Sequence, residues 1–478
     1  MIPAIDYVRI LPELVLALFG IAIMLVDPLL EPRKNQKPLG AVALAGAIAA
    51  IIATFIQAQY PGTAFYGMVR VDAFSVFFHL VVTLVVLLVV LTSYDYMAVQ
   101  RIRAGEYYGL VLMGAVGMAL MSSAVELVLI FVALEISSIS TYILAGFRFH
   151  DAASTESSLK YFLLGSFATA FFLYGVALMF GATGSTSIYT IADVLRAGHP
   201  ATLAYVAVAL MFVGIGFKVA VSPFHVWTPD VYEGAPAPVV AYMSTAPKAA
   251  AFAVLLRILF GAASPGWFWL IWVSAALSMT IGNIGALVQT NVKRLLAYSS
   301  IAHAGYLLVA FAVAPQIGIS AAMFYAASYA AMNVGAFAVV SHFANVGERY
   351  VTLDDYSGLG HRSPALAAIL TVFLLSLIGI PVTGGFFAKF YVFSAALKAN
   401  LVGLTIIGLV NSAVGAYYYL RIIVVMYMRE ERGVVPVARI PAGLGVALAI
   451  SLIATIYLGV LPGRVLDYAT KSAAQLIR

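Results

Sequence analysis

Long apolar runs dominate this sequence and restrict the chain to a membrane. Fourteen blocks contain almost no charged residues, and most are close in length to the roughly 20 residues with which an α-helix crosses a bilayer. The blocks are residues 9–30, 38–58, 72–98, 107–123, 125–146, 155–182, 202–231, 236–262, 267–288, 294–314, 316–343, 364–398, 400–428 and 440–462. Helices of that number and length account for the hydrophobic 63% of the 478 residues. The sequence therefore predicts an all-α polytopic membrane protein with about 14 transmembrane helices.

Charged residues and cysteines are both scarce, which excludes several classes of protein. Lys, Arg, Asp and Glu make up 10% of the chain, whereas soluble domains contain about 25%, so a soluble multidomain enzyme is excluded. The chain has no cysteine, so it forms no disulfide and holds no thiolate-bound zinc or iron-sulfur cluster. We therefore expect no cofactor or metal in this chain and expect electron carriers to be bound by other proteins.

Basic residues are distributed unequally among the segments between the blocks. Segments after odd-numbered blocks contain 14 of them: Arg33, Lys34, Lys37, Arg101, Arg103, Arg148, Lys160, Lys293, Arg294, Arg349, Arg362, Arg429, Arg432 and Arg439. Segments after even-numbered blocks contain four: Arg70, Arg196, Arg257 and Lys398. Because short cytoplasmic loops are enriched in Lys and Arg, we predict that both termini lie on the outer side of a bacterial cytoplasmic (inner) membrane. The net charge of +6 then reflects topology, and no nucleic-acid partner is expected.

Five charged residues lie more than five residues from either end of an apolar block and need an explanation. They are Glu135, Lys218, Lys248, Lys389 and Arg421. A charge at the centre of a membrane helix costs about 2.5–3.5 kcal/mol on insertion, and such residues face a bundle interior or a wet cavity. Arg421 is expected to reach the membrane interface with its long side chain. The other four are candidates for function.

Block seven contains prolines at membrane depth. Pro223 and Pro229 follow Lys218, and each proline removes a backbone hydrogen bond and bends or breaks a helix. Backbone groups left unpaired in a membrane are tolerated only where they are buried in protein or line water. The break therefore predicts a cavity, in which His225 and Ser222 could hold water.

Block twelve is interrupted in a similar way. Pro381, Gly384 and Gly385 come directly before Lys389. Interrupted helices in corresponding halves of a chain are typical of inverted-repeat transporters. From its place in the second half, Lys389 is predicted to carry the outward part of an ion path.

The spacing of the buried charges suggests an internal repeat. Lys218 and Lys389 are 171 residues apart, and Glu135 and His303 are 168 apart. Blocks four to eight and nine to thirteen each contain five helices, an odd number that would invert the second copy, although two unrelated broken helices could give the same spacing. The expected segments are 1–106 with helices 1–3, 107–262 as the first repeat, 263–428 as the second, and 429–478 with helix 14.

Further polar residues extend the series of buried charges. Pro247 precedes Lys248 in an apolar run, while Ser299 and Ser300 share one helix face with His303 at i, i+3 and i+4 spacing. With the charges in blocks five, seven and twelve, these positions outline a proton relay along the membrane plane.

Three other polar residues in the blocks have simpler interpretations. A lone membrane histidine is more often a packed, hydrogen-bonded residue than a relay member, which is how we interpret His79 and His342. Glu13 follows Pro12 at the start of block one, where a carboxylate favours a helix N-terminus.

Five segments carry a family resemblance that covers nearly the whole chain. They are LPELVLALFGIAIML near the N-terminus, LEISSISTYILAGF around Glu135, GFKVAVSPFHVWTPDVYEGAPAPVVAYMSTAPKAAAF around Lys218 and Lys248, VKRLLAYSSIAHAGY at 292–306, and GIPVTGGFFAKF around Lys389. They are similar to the antiporter-like membrane subunits of respiratory complex I (NADH-quinone oxidoreductase), and most of all to the subunit N family. Lys389 resembles subunits N and L more than M, which has a glutamate there, and the long lateral helix of subunit L is not expected after block fourteen.

The resemblance implies a fold and a function. The fold is an antiporter-like proton channel of two inverted five-helix repeats, in which Glu135 pairs with Lys218 and Lys248 is linked to Lys389. Electron transfer from NADH through flavin and iron-sulfur clusters to quinone takes place in other subunits and drives proton pumping through this Glu/Lys relay. The implied partners are the lipid bilayer and other membrane-arm subunits, including homologous antiporter-like ones.

Other functions share parts of this pattern. A subunit of a multisubunit sodium/proton antiporter, or of a membrane-bound hydrogenase, has the same core. A stand-alone solute transporter needs a pocket with several polar groups, whereas each broken helix here offers mostly one lysine. A purely structural scaffold would not retain a buried glutamate and three buried lysines at this energetic cost.

Overall fold

The computed structural model describes residues 3–30, 37–100, 102, 105–198, 202–261, 267–344, 346–430 and 439–476. Its helices are α1 (Ala4–Arg9), α2 (Leu11–Val26), α3 (Lys37–Gln57), α4 (Ala73–Gln100), α5 (Gly105–Ser123), α6 (Leu127–Ala145), α7 (Ala152–Thr183), α8 (Ile188–Ala197), α9 (Thr202–Val219), α10 (Thr228–Gly234), α11 (Ala237–Met243), α12 (Ala246–Gly261), α13 (Trp267–Leu287), α14 (Val292–Val309), α15 (Pro315–Phe343), α16 (Leu359–Arg362), α17 (Pro364–Ile378), α18 (Gly384–Lys398), α19 (Val402–Met428), α20 (Ala442–Val460) and α21 (Gly463–Leu476).

The helical fold class is confirmed. Twelve helical stretches in the described part of the chain are long and apolar enough to cross a membrane. Each of the 14 predicted blocks coincides with one helix or with a pair of helices: α5 occupies block four, and α17 with α18 occupies block twelve. The number of helices that cross the membrane stays a prediction.

A short antiparallel hairpin joins α3 to α4 and was not predicted. Its strands are β1 (Gly62–Ala64) and β2 (Val69–Val71), with Thr63 opposite Arg70. The Arg9 side chain donates hydrogen bonds to three backbone oxygens around β1, those of Tyr60, Pro61 and Thr63. These bonds fix α1 against the hairpin.

Burial separates central helices from peripheral ones. The α11–α12 segment, α14 and α15 are almost entirely buried, whereas α2, α19 and α20 each bury only about a third of their residues. Small residues allow the close packing: a Cβ on Gly282 of α13 would lie 2.6 Å from the backbone nitrogen of Ala302 on α14. Such contacts are typical of helix packing in membranes. The central helices are therefore surrounded by protein, and the peripheral ones offer apolar surface.

Both predicted helix breaks are present. Helix α9 ends at Val219, Ala220 has a φ of +60°, and α10 begins eight residues later. Helix α17 ends at Ile378, Gly379 has a φ of +95°, and α18 begins at Gly384. A third break, between α11 and α12, was indicated only by Pro247.

The placement of Arg257 in a loop was wrong. Arg257 lies in α12 and is 2% exposed. Its Nη1 and Nη2 donate to the two carboxylate oxygens of Asp72 at 3.2 and 2.9 Å, and its Nε donates to the Ser122 carbonyl at 2.9 Å. A bidentate carboxylate offsets the cost of burying the guanidinium.

Seven further predicted loop residues lie within helices. They are Lys37 in α3, Lys160 in α7, Arg196 in α8, Lys293 and Arg294 in the first turn of α14, Arg362 in α16 and Lys398 in α18. Arg33, Lys34, Arg101, Arg103 and Arg432 lie outside the described residues, as does the expected repeat boundary at 262/263.

A second buried ion pair is formed by a loop residue, Glu348, which is 7% exposed. Its carboxylate accepts hydrogen bonds from Lys293 Nζ, the Tyr96 hydroxyl and the Ala237 backbone N–H, each at 2.6 Å. Arg148 Nη1 lies 3.4 Å away. Burial acts to raise the pKa of Glu348, but the Lys293 and Arg148 cations hold it below its ordinary value. This carboxylate ties the ends of α4, α11 and α14 together.

Candidate functional site

Lys218 occupies the last turn of α9, immediately before the break. Its side chain is 3% exposed, and its Nζ donates to Ser138 Oγ on α6 at 3.0 Å. The Nζ also lies 5.9 and 5.8 Å from the ring centres of Tyr142 and Tyr161. A cation is favoured at the C-terminal end of a helix by the helix dipole and over aromatic faces by their quadrupoles. The ammonium is thus held by neutral groups.

Glu135 lies one turn before Ser138 on the same face of α6. It is partly exposed, and its Oε1 accepts no hydrogen bond from the described residues. It interacts electrostatically with Lys218, yet no ion pair within 4.0 Å joins the two side chains in the described part of the chain. The Ser138 hydroxyl, and not the Glu135 carboxylate, accepts the hydrogen bond of the ammonium.

Lys248 lies in the first turn of α12 and is 3% exposed. Its Nζ donates to Ser300 Oγ at 2.6 Å and is 3.2 Å from the Ser300 carbonyl oxygen on α14. The Tyr329 hydroxyl donates to the same Oγ at 2.7 Å. The Tyr232 ring centre is 6.0 Å from the Nζ. This lysine too has hydroxyl, carbonyl and aromatic neighbours.

His303 continues the series on α14 and is 2% exposed. Its Nδ1 is 2.7 Å from the Tyr325 hydroxyl and its Nε2 is 3.3 Å from the Tyr419 hydroxyl. Ser299 bonds the same tyrosine hydroxyl, which confirms that Ser299 and His303 share one helix face. A cavity of about 10 Å³ adjoins Lys248, Ser300, His303, Tyr325 and Tyr329, a volume comparable to that which holds one water molecule.

Lys389 is held by the broken end of a helix. Its Nζ donates to the carbonyl oxygens of Leu377 at 3.1 Å and Ile378 at 2.8 Å, and to Ser412 Oγ at 2.9 Å. In an unbroken helix the Leu377 carbonyl would accept from the residue four positions later, which is Pro381 and has no N–H. The predicted proline break therefore supplies the ligands of the lysine.

Two other candidates lie apart from this series. His225 belongs to the segment between α9 and α10, is partly exposed, and its Nδ1 has no hydrogen-bond partner among the described residues. Within the described ranges, no hydrogen bond or ring contact joins it to Lys218 or Lys248. Arg421 is partly buried and its Nη1 lies 3.4 Å from the Leu287 carbonyl at the end of α13, consistent with its predicted place near an interface.

Aromatic side chains connect the lysines, and the sequence analysis did not identify them. Between Lys218 and Lys248, the Tyr161 ring stacks on Trp227 at 4.4 Å, and Trp227 is 6.1 Å from Tyr232. Between Lys248 and Lys389 lie three rings: His303 is 5.2 Å from Tyr329 and 5.6 Å from Tyr306, and Tyr306 is 4.8 Å from the Nζ of Lys389. Among 27 tyrosines, only the ones at helical spacing from a buried lysine or histidine carried a signal. Tyr306, at i+3 from His303, is an example.

Comparisons with known proteins give the family. The model of a family described as "NADH:quinone oxidoreductase/Mrp antiporter, TM" matches residues 124–415, a segment that contains Glu135, His303 and the three lysines. NADH-quinone oxidoreductase subunit N 2 of Koribacter versatilis (strain Ellin345) is 69% identical over 485 residues, which cover 100% of this chain and 99% of the relative.

Solved structures agree with that relationship. A chain of respiratory complex I from Thermus thermophilus with bound aureothin has a TM-score of 0.82 and 38% identity, covering 95% of this chain and 98% of that one. A chain of the membrane-bound sulfane sulfur reductase, an archaeal respiratory membrane complex, has a TM-score of 0.88 and 25% identity, covering 100% and 98%. The chain belongs to the subunit N family of the NADH-quinone oxidoreductases.

Proposed function

We propose that this chain is a proton-translocating membrane subunit of NADH-quinone oxidoreductase and that Glu135, Lys218, Lys248, His303 and Lys389 carry the protons. The main observation in support is the continuous series from Lys218 to Lys389, in which each ammonium is bonded to hydroxyl or carbonyl oxygens. Identity of 69% over the full length to a subunit N supports the complex, whereas fold alone does not separate it from related respiratory complexes.

The arrangement supports transfer between neighbouring lysines. A lysine bonded to neutral oxygens can release its proton without leaving an unpaired carboxylate buried nearby. Hydroxyl groups of Ser300 and Tyr329 both donate and accept, and the two ring nitrogens of His303 can do so together. A proton released by Lys248 thus has acceptors in the direction of Lys389. At the other end of the series, the negative charge of Glu135 favours the protonated, ammonium form of Lys218.

The repeat boundaries, the membrane topology and the partners in this proposal are taken from the sequence. Residues 107–262 and 263–428 form two inverted repeats, flanked by 1–106 and 429–478. Both termini face the outer side of a bacterial cytoplasmic membrane. Flavin, iron-sulfur clusters and quinone are held by partner subunits, since this chain contains no cysteine. Homologous antiporter-like subunits and lipid cover its apolar surface.

The proposal is tested with Glu135→Gln, Lys218→Met and the double variant in the assembled complex. NADH-driven acidification is measured in vesicles and normalised to the amount of complex. We expect Lys218→Met to reduce pumping at least about 100-fold, as for loss of an acid–base group. Lys398→Met, at the exposed end of α18, is the matched control and should pump normally.

The double variant tests whether the glutamate and the lysine act together. If they form one unit, it pumps no worse than the poorer single variant. If the loss in the double variant equals the product of the two single losses, Glu135 and Lys218 act independently. Normal pumping by Lys218→Met contradicts the proposed function itself.

A further inference from the structure

A second buried acid–base pair lies in the N-terminal helices, outside the matched segment 124–415 and apart from the lysine series. Glu13 of α2 is 3% exposed and His79 of α4 is fully buried. Glu13 Oε1 lies 3.3 Å from His79 Nε2. The sequence analysis interpreted Glu13 as a helix cap and His79 as a packed residue. The structure places the glutamate in the first turn of its helix, but its side chain is buried against the histidine.

The neighbours of His79 place an oxygen atom beside each of its ring nitrogens. Its Nε2 is 2.9 Å from the Ala119 carbonyl oxygen, which only accepts hydrogen bonds. Its Nδ1 is 2.8 Å from Gln57 Oε1. The orientation of that amide is fixed, because Gln57 Nε2 donates to the Arg9 carbonyl at 2.5 Å. Both ring nitrogens thus face oxygen atoms, to which a doubly protonated imidazole ring can donate.

The carboxylate of Glu13 differs from the other buried carboxylates of the chain. Asp72 accepts a bidentate bond from Arg257, and Glu348 accepts three bonds at 2.6 Å. Neither oxygen of Glu13 accepts a hydrogen bond of ordinary geometry from the described residues, although the Ser123 hydroxyl lies close enough to interact with the carboxylate. A buried carboxylate without donors is costly, so a purely structural clamp would be expected to satisfy it. This carboxylate is instead free to accept a proton.

We infer that Glu13 and His79 form an additional proton-exchange site of the translocating subunit, an inference that rests on the proposed function. The step moves one proton from Nε2 of His79 to Oε1 of Glu13. It converts a carboxylate and an imidazolium into a carboxylic acid and a neutral imidazole, and the reverse step restores the charged pair. No net charge changes, and no other reactant is required.

A hydrogen-bonded chain of polar groups leads away from the Glu13–His79 pair. Gln57 of α3 joins His79 to the Arg9 backbone, and the Arg9 side chain is bonded to the hairpin after α3. Ser123 of α5 lies beside the Glu13 carboxylate. Gln57 and Ser123 are therefore polar side chains that lie against the pair from the helices packed around it. The connection runs toward the membrane side on which α1 and the hairpin lie.

The test compares Glu13→Gln, Glu13→Asp and His79→Gln in the assembled complex. We expect Glu13→Gln and His79→Gln to reduce NADH-driven pumping at least about tenfold, while Glu13→Asp retains most of it because a titratable group remains. Infrared difference spectra across a pH titration should show the carboxylic-acid band of Glu13 in the native complex and lose it in Glu13→Gln. Normal pumping by Glu13→Gln, or an unchanged infrared band, would overturn the inference.

Two further comparisons of variants distinguish a proton-exchange role of the Glu13–His79 pair from a structural one. If Glu13→Gln does not assemble, the double variant Glu13→Gln/His79→Gln replaces the pair by two amides that can bond each other. Normal pumping by that variant shows a structural role and overturns the inference, whereas a tenfold loss supports it. Lys218→Met separates the two proposals: if it stops pumping while Glu13→Gln pumps normally, only the inference about Glu13 fails.

Discussion

Two sets of buried cations in this molecule have opposite surroundings. Lys218, Lys248 and Lys389 donate to serine hydroxyls and backbone carbonyls. Arg257 and Lys293 donate instead to carboxylates, at 2.6–3.2 Å. All five are at most 9% exposed. Burial alone therefore does not distinguish the two sets, but the charge of their ligands does.

We propose that the difference separates fixed charges from exchangeable ones. Removing one member of a buried carboxylate pair leaves the other charge uncompensated, so a paired cation keeps its proton. An ammonium bonded only to neutral oxygens leaves no such charge behind when it becomes an amine. Arginine suits the fixed set, since it stays protonated in proteins, and lysine suits the exchangeable set. The ion pairs join neighbouring helices, whereas the three lysines are the proposed proton carriers.

The largest effect is expected at the fixed pair. Arg257→Gln leaves Asp72 buried without its guanidinium, which we expect to cost about 3–5 kcal/mol in folding free energy and to prevent assembly of the subunit. Burial acts to raise the pKa of Asp72, but Arg257 holds it below its ordinary value. The pair is therefore fully stabilising above about pH 4, the ordinary pKa of Asp, and is lost as the pH falls through the lower folded value.

Subunit abundance in purified membranes measures this effect. Arg421→Gln is the matched control and should assemble normally, because Arg421 bonds a carbonyl oxygen at 3.4 Å and no carboxylate among the described residues. Asp72→Asn/Arg257→Met removes both charges and should recover part of the assembly lost in Arg257→Gln. Full assembly of Arg257→Gln would show that the pair is not a structural element.

A smaller effect is expected at the outer end of the exchangeable series. Lys389→Ala should leave the subunit assembled, because no buried carboxylate loses a partner, but should lower proton pumping about tenfold. Lys389→Glu should be tolerated better than alanine, since a titratable group remains, although the carbonyls of Leu377 and Ile378 disfavour its charged form. Pumping per assembled complex in vesicles is the measurement, and full pumping by Lys389→Ala contradicts the role of this lysine.

The sequence predicted the helices and the breaks because these depend on local properties. An apolar run partitions into lipid wherever it occurs, and Pro381 interrupts a helix in any fold. Both features can be read from a single segment. For the same reason the lysines could be recognised, since a charge within an apolar run is costly irrespective of its neighbours.

The faces of the helices could not be predicted in this way. A membrane helix is apolar toward lipid and toward protein, so hydrophobic periodicity does not show which side is buried. Glu13 was therefore assigned to a helix end, although its side chain faces His79. Arg257 was assigned to a loop, and its partner Asp72, which is 185 residues away, could not be recognised from the sequence. Only the packed structure brings such residues together.

The smallest effect is expected when one neutral ligand of a buried lysine is removed. Ser138→Ala deletes the hydroxyl to which Lys218 donates at 3.0 Å and leaves Glu135 in place. A hydrogen bond to a charged group is worth about 1.5–3 kcal/mol, but water or Glu135 can replace part of it, so we expect pumping to fall only about fivefold. Ser138→Thr keeps a hydroxyl and should retain most of the rate. If Ser138→Ala pumps as poorly as Lys218→Met, the hydroxyl itself relays the proton. If Ser138→Ala pumps normally, the neutral ligand does not control proton exchange at Lys218. The difference in ligands between the lysines and the carboxylate-bound cations would then not explain a difference in function.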